Sequence, residues 1–326
     1  MKAAVVTAAG KTPVYRDFNV PTPAPGFEVV AVRGAALTHF TKGRASGEHY
    51  SSDHAFPAVA GSDGVGIAAD GRRVYFVLPE APFGAMAEFA RVRSRQCIDV
   101  PAEVDDITAA AIANPGMSAW AALAERAQLK AGETVLINGA TGIAGRLAVQ
   151  IAKFMGAAKV VATGRDEAAL EEMKSLGVDV SIPFALGTPD GVKKYEEALM
   201  AQCAAGVDVV IDYLWGASAR TVIGAIAKAA ESGKPVRFVQ VGSSSGEDIQ
   251  LPAAALRSSA IMMMGSGVKS VPLSGLLAAI QNTFAAVVPA RLKIAAEAVP
   301  LEQVAERWDA AGKTRIVFVP PQASRE

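Results

Sequence analysis

The stretch Thr134-Val135-Leu136-Ile137-Asn138-Gly139-Ala140-Thr141-Gly142-Ile143-Ala144-Gly145 constrains this chain more than any other. An apolar run of strand type ends in three glycines spaced by threes. A segment of helical period, Arg146-Leu147-Ala148-Val149-Gln150-Ile151-Ala152-Lys153, opens straight from them. Glycines there let the turn tighten and let backbone N–H groups approach a pyrophosphate at a helix N-terminus, where the helix dipole favours anions. The glycine spacing alone is a weak signal. A strand before it, a helix after it and a second strand, Lys159-Val160-Val161-Ala162-Thr163, ending near the expected ribose contact make it specific for a dinucleotide.

A chain of 326 residues is long for one hydrophobic core, which favours two domains. From about residue 115 apolar strands alternate with helices: strands near 134–138, 159–163, 207–211, 236–241 and 261–264, and helices near 144–155, 167–175, 190–203 and 216–231. This rhythm predicts α/β architecture, a doubly wound parallel sheet of Rossmann type covered on both faces. Residues 1 to about 110 read instead as short strands broken by Pro and Gly, a partly open barrel or sandwich. After Gly267 come a helix (about 273–286), Ala295–Val299, a helix (about 301–311) and a last strand, Arg315–Val319. This tail is expected to pack back on the β-rich part. The expected domains are therefore 1–113 with 268–326, and 114–267.

Lys and Arg together number 32, as do Asp and Glu, so the chain has no formal net charge and no electrostatic case for nucleic acid or an anionic membrane. Two cysteines, Cys97 and Cys203, are too few for a disulfide framework and suit a reduced compartment. The opening Met1-Lys2-Ala3-Ala4-Val5-Val6 reads as a first β-strand rather than a signal peptide. No apolar run reaches membrane-spanning length. A cytoplasmic protein is the expectation.

The second strand ends Thr163-Gly164-Arg165, so Arg165 lies where the 2′-phosphate of NADPH would sit, in place of the acid typical of NAD enzymes. The alternatives are a solvated Arg165 and Asp166 as the cofactor-contacting acid, although Asp166 reads more simply as the N-cap of the next helix. Gly242-Ser243-Ser244-Ser245-Gly246 matches the nucleophile-elbow pattern, but that elbow needs an immediate helix and a downstream His. The sequence continues Glu247-Asp248-Ile249-Gln250-Leu251-Pro252, and no His follows His54. His39, His49, His54, Asp53 and Cys97 show no zinc-ligand spacing. No Tyr has a Lys four residues on, the pair expected of short-chain dehydrogenases.

With a β-rich segment ahead of the cofactor domain, the chain resembles the zinc-independent branch of the medium-chain dehydrogenase/reductase superfamily, and most of all the NADPH:quinone oxidoreductase-type enzymes. The resemblance is spread over nearly the whole chain. It is carried by Pro57-Ala58-Val59-Ala60-Gly61-Ser62-Asp63-Gly64-Val65-Gly66, Gly84–Phe89, Gly116-Met117-Ser118-Ala119-Trp120, the Gly139–Gly145 loop, Gly206–Asp212 and Val239–Ser243. Where the zinc alcohol dehydrogenases have His before Glu, this chain has Ser62-Asp63. Their first Cys ligand is absent from Gly34–Thr41, as is the four-cysteine lobe. The resemblance therefore implies a metal-free reductase with a GroES-like first domain, its nicotinamide in the cleft between domains.

It further implies hydride transfer to a quinone or α,β-unsaturated carbonyl. Thr38 falls where relatives carry a polar residue near the nicotinamide, Tyr50 matches a tyrosine of their substrate cleft, and Ser118 replaces a hydroxyl residue of a Gly-x-Thr-Ala segment. Tyr50 and Thr38 are then the donors to the substrate carbonyl, and His39 a further proton donor; packed or solvent-facing polar side chains are the alternative for each. Gly139, Thr141, Gly142, Ile143, Ala144 and Gly145 would hold the pyrophosphate, and Gly164 and Arg165 the adenosine side. Val241, Gly242, Ser243, Gly265, Ser266 and Gly267 would border the nicotinamide half, unless those glycines serve turn geometry alone. The strand Ala260–Met264 would be an edge that pairs across a homodimer. Metal-free alcohol oxidation and a non-catalytic NADPH-binding protein are the competing functions.

Overall fold

The computed structural model describes residues 1–47, 49, 52, 56–310 and 312–321. Its chain forms two compact units. One comprises Met1–Asn114, Thr283–Val288 and Lys293–Glu326, and the other Pro115–Asn282 and Pro289–Leu292.

The second unit holds six strands, Thr134–Asn138, Lys159–Gly164, Val180–Pro183, Val209–Asp212, Val236–Gln240 and Ile261–Gly265. All pair in parallel. Numbered along the chain, their spatial order is 3-2-1-4-5-6, the Rossmann arrangement. Val135, Leu136, Ile137, Val160, Val161, Val209, Val210 and Ile211 are all buried, as expected of strands covered on both faces. The first and fourth strands are neighbours, with Asn138 level with both Thr163 and Asp212. The order reverses there, and such sheets bind ligands beyond the carboxyl ends at that point.

The first unit is the β-rich GroES-like part. Phe27–Ala36 is its spine: it pairs antiparallel with Asp63–Ile67, Phe89–Arg93 and, at Ala35 and Ala36, with Arg315–Val319. Arg73–Val77, Cys97–Asp99 and Ala296–Pro300 complete that sheet. Lys2–Val6 pairs separately with Val14–Asp17 and Ala58–Val59. One core takes in Val30, Val32, Val74 and Phe76 together with Val299, Leu301, Ile316 and Phe318, so the end of the chain is part of it. Residues 268–282 belong to the second unit, where Val271, Leu276 and Ala279 pack with Ala121, Met117 and Trp120.

Candidate functional site

The three loop glycines meet three different conditions. Gly139 has φ +85°, a left-handed turn. Gly145 is close-packed: a Cβ there would lie 2.5 Å from the Gly139 carbonyl oxygen and 2.6 Å from Ala140 Cα. Gly142 is bare without being crowded, since a Cβ would meet nothing nearer than the same oxygen at 3.7 Å. It is the N-cap of helix Ile143–Phe154 and supplies no side-chain cap, leaving the first amides of the helix uncapped. The helix itself is fixed by the buried face Leu147, Ala148, Val149, Ile151 and Ala152.

Beneath this loop lies a buried polar cluster that the sequence reading missed. Asn138 Oδ1 accepts from Thr163 Oγ1 (2.6 Å), Ser218 Oγ (2.8 Å) and Tyr195 OH (3.0 Å). Its Nδ2 donates to Asp212 Oδ1 (2.8 Å). Asp212 also accepts from the backbone N–H groups of Leu214 and Trp215, and burial pushes its carboxyl pKa upward against those bonds. Thr163 Oγ1 in turn accepts from Gly139 N–H (3.2 Å), so the network grips the first glycine of the loop.

The other expected cofactor positions follow the same carboxyl ends. Thr141 lies against Gly164, where a Cβ would approach Thr141 Cγ2 to 2.7 Å. Arg165 is exposed. Asp166 caps the next helix, accepting from Ala169 N–H at 3.0 Å, so its carboxylate is occupied by the fold. Val241 and Gly242 N–H groups both donate to the Asp212 carbonyl, and a Cβ at Gly242 would lie 2.8 Å from Tyr213 O. Ser266 N–H donates to the Gln240 carbonyl, which ties the Gly265–Gly267 turn to the neighbouring strand. The buried Tyr213 hydroxyl reaches toward Ser118 without a hydrogen bond of normal geometry, and burial raises its pKa. The Gly242–Gly246 run is a loop with no helix before Ala253, and Ser243 Oγ donates to Glu247 instead, so it is no nucleophile elbow.

In the first unit Thr38 is buried and caps helix His39–Ser46, its Oγ1 accepting from Thr41 N–H at 3.0 Å. The Thr38 and Thr41 hydroxyls are 3.1 Å apart, and Thr41 Oγ1 is 3.4 Å from Ser62 Oγ. His39 is exposed. Partial desolvation, then Arg315 and Lys42, hold its pKa below the ordinary value. Tyr50, Asp53 and His54 lie outside the described residues.

Asp63 is buried and accepts a 2.5 Å hydrogen bond from Tyr75 OH. Burial pushes its carboxyl up to about 6, against the pull of that bond and of Arg315. The folded carboxyl keeps its proton to about pH 6, whereas an unfolded one releases it near 4. The folded state therefore binds more protons in between, and this stabilisation is lost as pH rises from about 4 to 6. Against the non-titrating Asp63→Asn variant, the wild type should lose on the order of 3 kcal/mol of unfolding free energy across that window. Urea titrations at four pH values measure it; a pH-independent difference between the two proteins would contradict the assignment.

A family model described as zinc-binding dehydrogenase matches residues 144–288. That match contains neither Ser62-Asp63 nor residues 34–41, the segments that the resemblance sets against zinc ligands. Thr38, Thr41 and Ser62 offer neutral hydroxyls, and Asp63 is engaged by Tyr75, so this donor set does not fit zinc. Among the described residues, no three His, Cys, Asp or Glu side chains are grouped to hold a metal. A probable NADPH-dependent quinone reductase of Emericella nidulans is 28% identical, over 98% of this chain and 100% of that protein. A probable oxidoreductase from Mycobacterium abscessus superposes with TM-score 0.78 at 26% identity, over 98% of this chain and 99% of that one. The quinone oxidoreductase of Thermus thermophilus, solved alone and with NADPH, has TM-score 0.81 at 22% identity, over 98% and 100% of the two chains. With its 3-2-1-4-5-6 sheet, its glycine loop and its β-rich first unit, the chain is similar over nearly its whole length to medium-chain dehydrogenase/reductases of the quinone-oxidoreductase kind.

Proposed function

We propose that this protein is an NADPH-dependent, metal-free reductase of quinones or α,β-unsaturated carbonyls. The observation that carries the reading is the bare, uncrowded Gly142 between a turning Gly139 and a close-packed Gly145. Those are the three separate duties of glycine in a pyrophosphate loop: turn, ligand approach and helix–strand packing. The amides of Gly142, Ile143, Ala144 and Gly145 would take the diphosphate, with Gly139 and Thr141 shaping the loop. NADPH, when bound, supplies the hydride.

Arg165 is exposed beyond Gly164 and would pair with the 2′-phosphate, a role Asp166 leaves to it by capping its helix. Ser118, Val241, Gly242, Ser243, Gly265, Ser266 and Gly267 would border the nicotinamide half. Thr38 and Tyr50 would donate hydrogen bonds to the substrate carbonyl, each worth about a hundred- to a thousandfold in rate. His39 ranks below them as a proton donor, because a lowered pKa leaves it little acid character at neutral pH. By the same assignment the first unit would be the substrate domain.

A homodimer is supported by the strand Ile261–Gly265, which ends the parallel sheet and exposes about half of Met262. A cytoplasmic location is supported by the free cysteines. Among the described residues, no helix is long and apolar enough to cross a membrane.

The wild type should consume NADPH with 1,4-benzoquinone, 9,10-phenanthrenequinone or 2-alkenals. Tight binding without turnover on any of them would mark a non-catalytic binding protein. Arg165→Ala should raise the NADPH dissociation constant about tenfold or more, the loss of one charge-assisted bond, and leave NADH nearly unchanged. Titration calorimetry with both coenzymes checks it, and equal losses would remove the phosphate assignment.

A further inference from the structure

We propose that Thr38, Thr41 and Ser62 form a hydroxyl relay that carries a proton from a small, partly open pocket to the substrate oxygen. The proposal rests on the reductase reading above, in which Thr38 meets the substrate carbonyl. Three buried hydroxyls stand in line: Thr38 Oγ1 to Thr41 Oγ1 at 3.1 Å, and Thr41 Oγ1 to Ser62 Oγ at 3.4 Å. The far end of this line is not a dead end. Thr41 and Ser62 both line a cavity of about 70 Å³, shared with Arg44, Phe56, Leu78 and Pro82. That space is large enough for water, and Thr41 and Ser62 bring hydroxyl side chains to its lining.

The valence of Thr38 determines which way the line can run. A threonine hydroxyl has one proton to give and two lone pairs to fill. Thr41 N–H already fills one lone pair of Thr38. When Thr41 donates to Thr38 as well, both lone pairs are used, and the Thr38 proton is the one donor left in the buried pair, free for a substrate oxygen. When Thr38 donates to Thr41 instead, Thr38 keeps one free lone pair and can receive a proton. The structure shows the second arrangement, Thr38 donating to Thr41 and Thr41 to Ser62, and rotation of the hydroxyl hydrogens about the same oxygens gives the first.

Hydride addition to the conjugated carbon leaves an electron pair on the carbonyl oxygen, and one proton completes the reduction. The Thr38 O–H bond breaks as the substrate O–H bond forms. Thr38 takes the Thr41 proton, Thr41 takes that of Ser62, and Ser62 is refilled by water in the cavity. Each hydroxyl gives a proton as it gains one, so no alkoxide accumulates; the water regains its proton from solvent, and the net uptake is one solvent proton per hydride. Among the described residues near Thr38, Asp63 is held by Tyr75, and His39 is exposed with a lowered pKa.

The test is a proton inventory of NADPH-dependent reduction in mixed H2O and D2O, with 9,10-phenanthrenequinone or a 2-alkenal as acceptor. The wild type should give a curved plot, the signature of several protons in flight. Thr41→Val keeps the shape of the side chain and removes the middle hydroxyl. It should lower kcat about tenfold or more and flatten the plot, with the NADPH dissociation constant unchanged. Thr41→Ser should restore both rate and curvature.

Ser62→Ala cuts the line at the cavity and leaves the Thr38 cap intact. It should flatten the plot even if Thr41→Val folds poorly. Wild-type rate and curvature in both Thr41→Val and Ser62→Ala, or equal losses in Thr41→Val and Thr41→Ser, overturn the relay while leaving the reductase standing. A wild type inert toward every acceptor overturns the reductase reading, and the relay falls with it.

Discussion

Gly142→Asp should abolish useful NADPH binding, raising the dissociation constant about a hundredfold or more, while the protein stays as stable as before or gains slightly. The two effects separate because they act on different partners. A side chain at Gly142 meets no protein atom nearer than 3.7 Å, so the fold has room for it. Gly142 is also the N-cap of its helix and offers no capping side chain, and Asp is at least as good a cap as Gly, by a few tenths of a kcal/mol. The same carboxylate would occupy the space and the amides meant for the diphosphate and would repel its charge. About 3 kcal/mol of lost charge-assisted bonding corresponds to roughly a hundredfold in affinity. Calorimetric titration with NADPH and a thermal melt read the two effects; a dissociation constant within threefold of wild type would sink the loop assignment. The companion change Gly145→Ala should fail differently, by unfolding, because its Cβ would press on backbone at 2.5 Å.

Asn138→Leu is expected to be the most destabilising single substitution near the loop, by about 3–5 kcal/mol. The side chain keeps roughly its volume, but Thr163, Ser218 and Tyr195 lose their shared acceptor and Asp212 loses a donor. Each buried group left unmatched costs about 1–3 kcal/mol, and the hydroxyls can recover part of this by bonding one another. Tyr195 OH and Ser218 Oγ are already 3.2 Å apart. For a unit of this size the thermal midpoint should drop by about 10 °C. Because Thr163 also holds Gly139 N–H, NADPH binding should weaken in the same variant even at temperatures where it is folded. Urea unfolding of the variant, with a loss under 1 kcal/mol, would show that the cluster is incidental.

Some elements were hidden in the sequence for identifiable reasons. Helix Asp106–Trp120 carries the run Ala109-Ala110-Ala111-Ile112-Ala113, every residue of it fully buried. A helix covered on all sides has no amphipathic period to detect, and Pro115 within it argues against a helix locally. The third strand of the parallel sheet, Val180–Pro183, is four residues long, sits at the sheet edge and ends in proline, so it lacks the apolar run that marked its neighbours. The expected helix at about 301–311 is a 3₁₀ turn, Leu301–Gln303, followed by Val304–Arg307. Helix His39–Ser46 went unread for the same lack of apolar period.

The loop and its sheet could be read from sequence because their chemistry is local: adjacent residues supply the turn, the amides and the packing glycine, and spacing along the chain carries all three. The polar groups that serve the loop come from far apart, Asn138 meeting Asp212 and Ser218 across 74 and 80 residues. The line from Thr38 through Thr41 to Ser62 likewise closes across 21 residues by the folding of one sheet. No periodicity encodes such meetings, since a buried hydroxyl is matched by whatever the fold brings within hydrogen-bonding reach. The sequence by itself determined the sheet class and the glycine loop that closes its first strand. Only the tertiary structure decided which buried polar side chains answer one another.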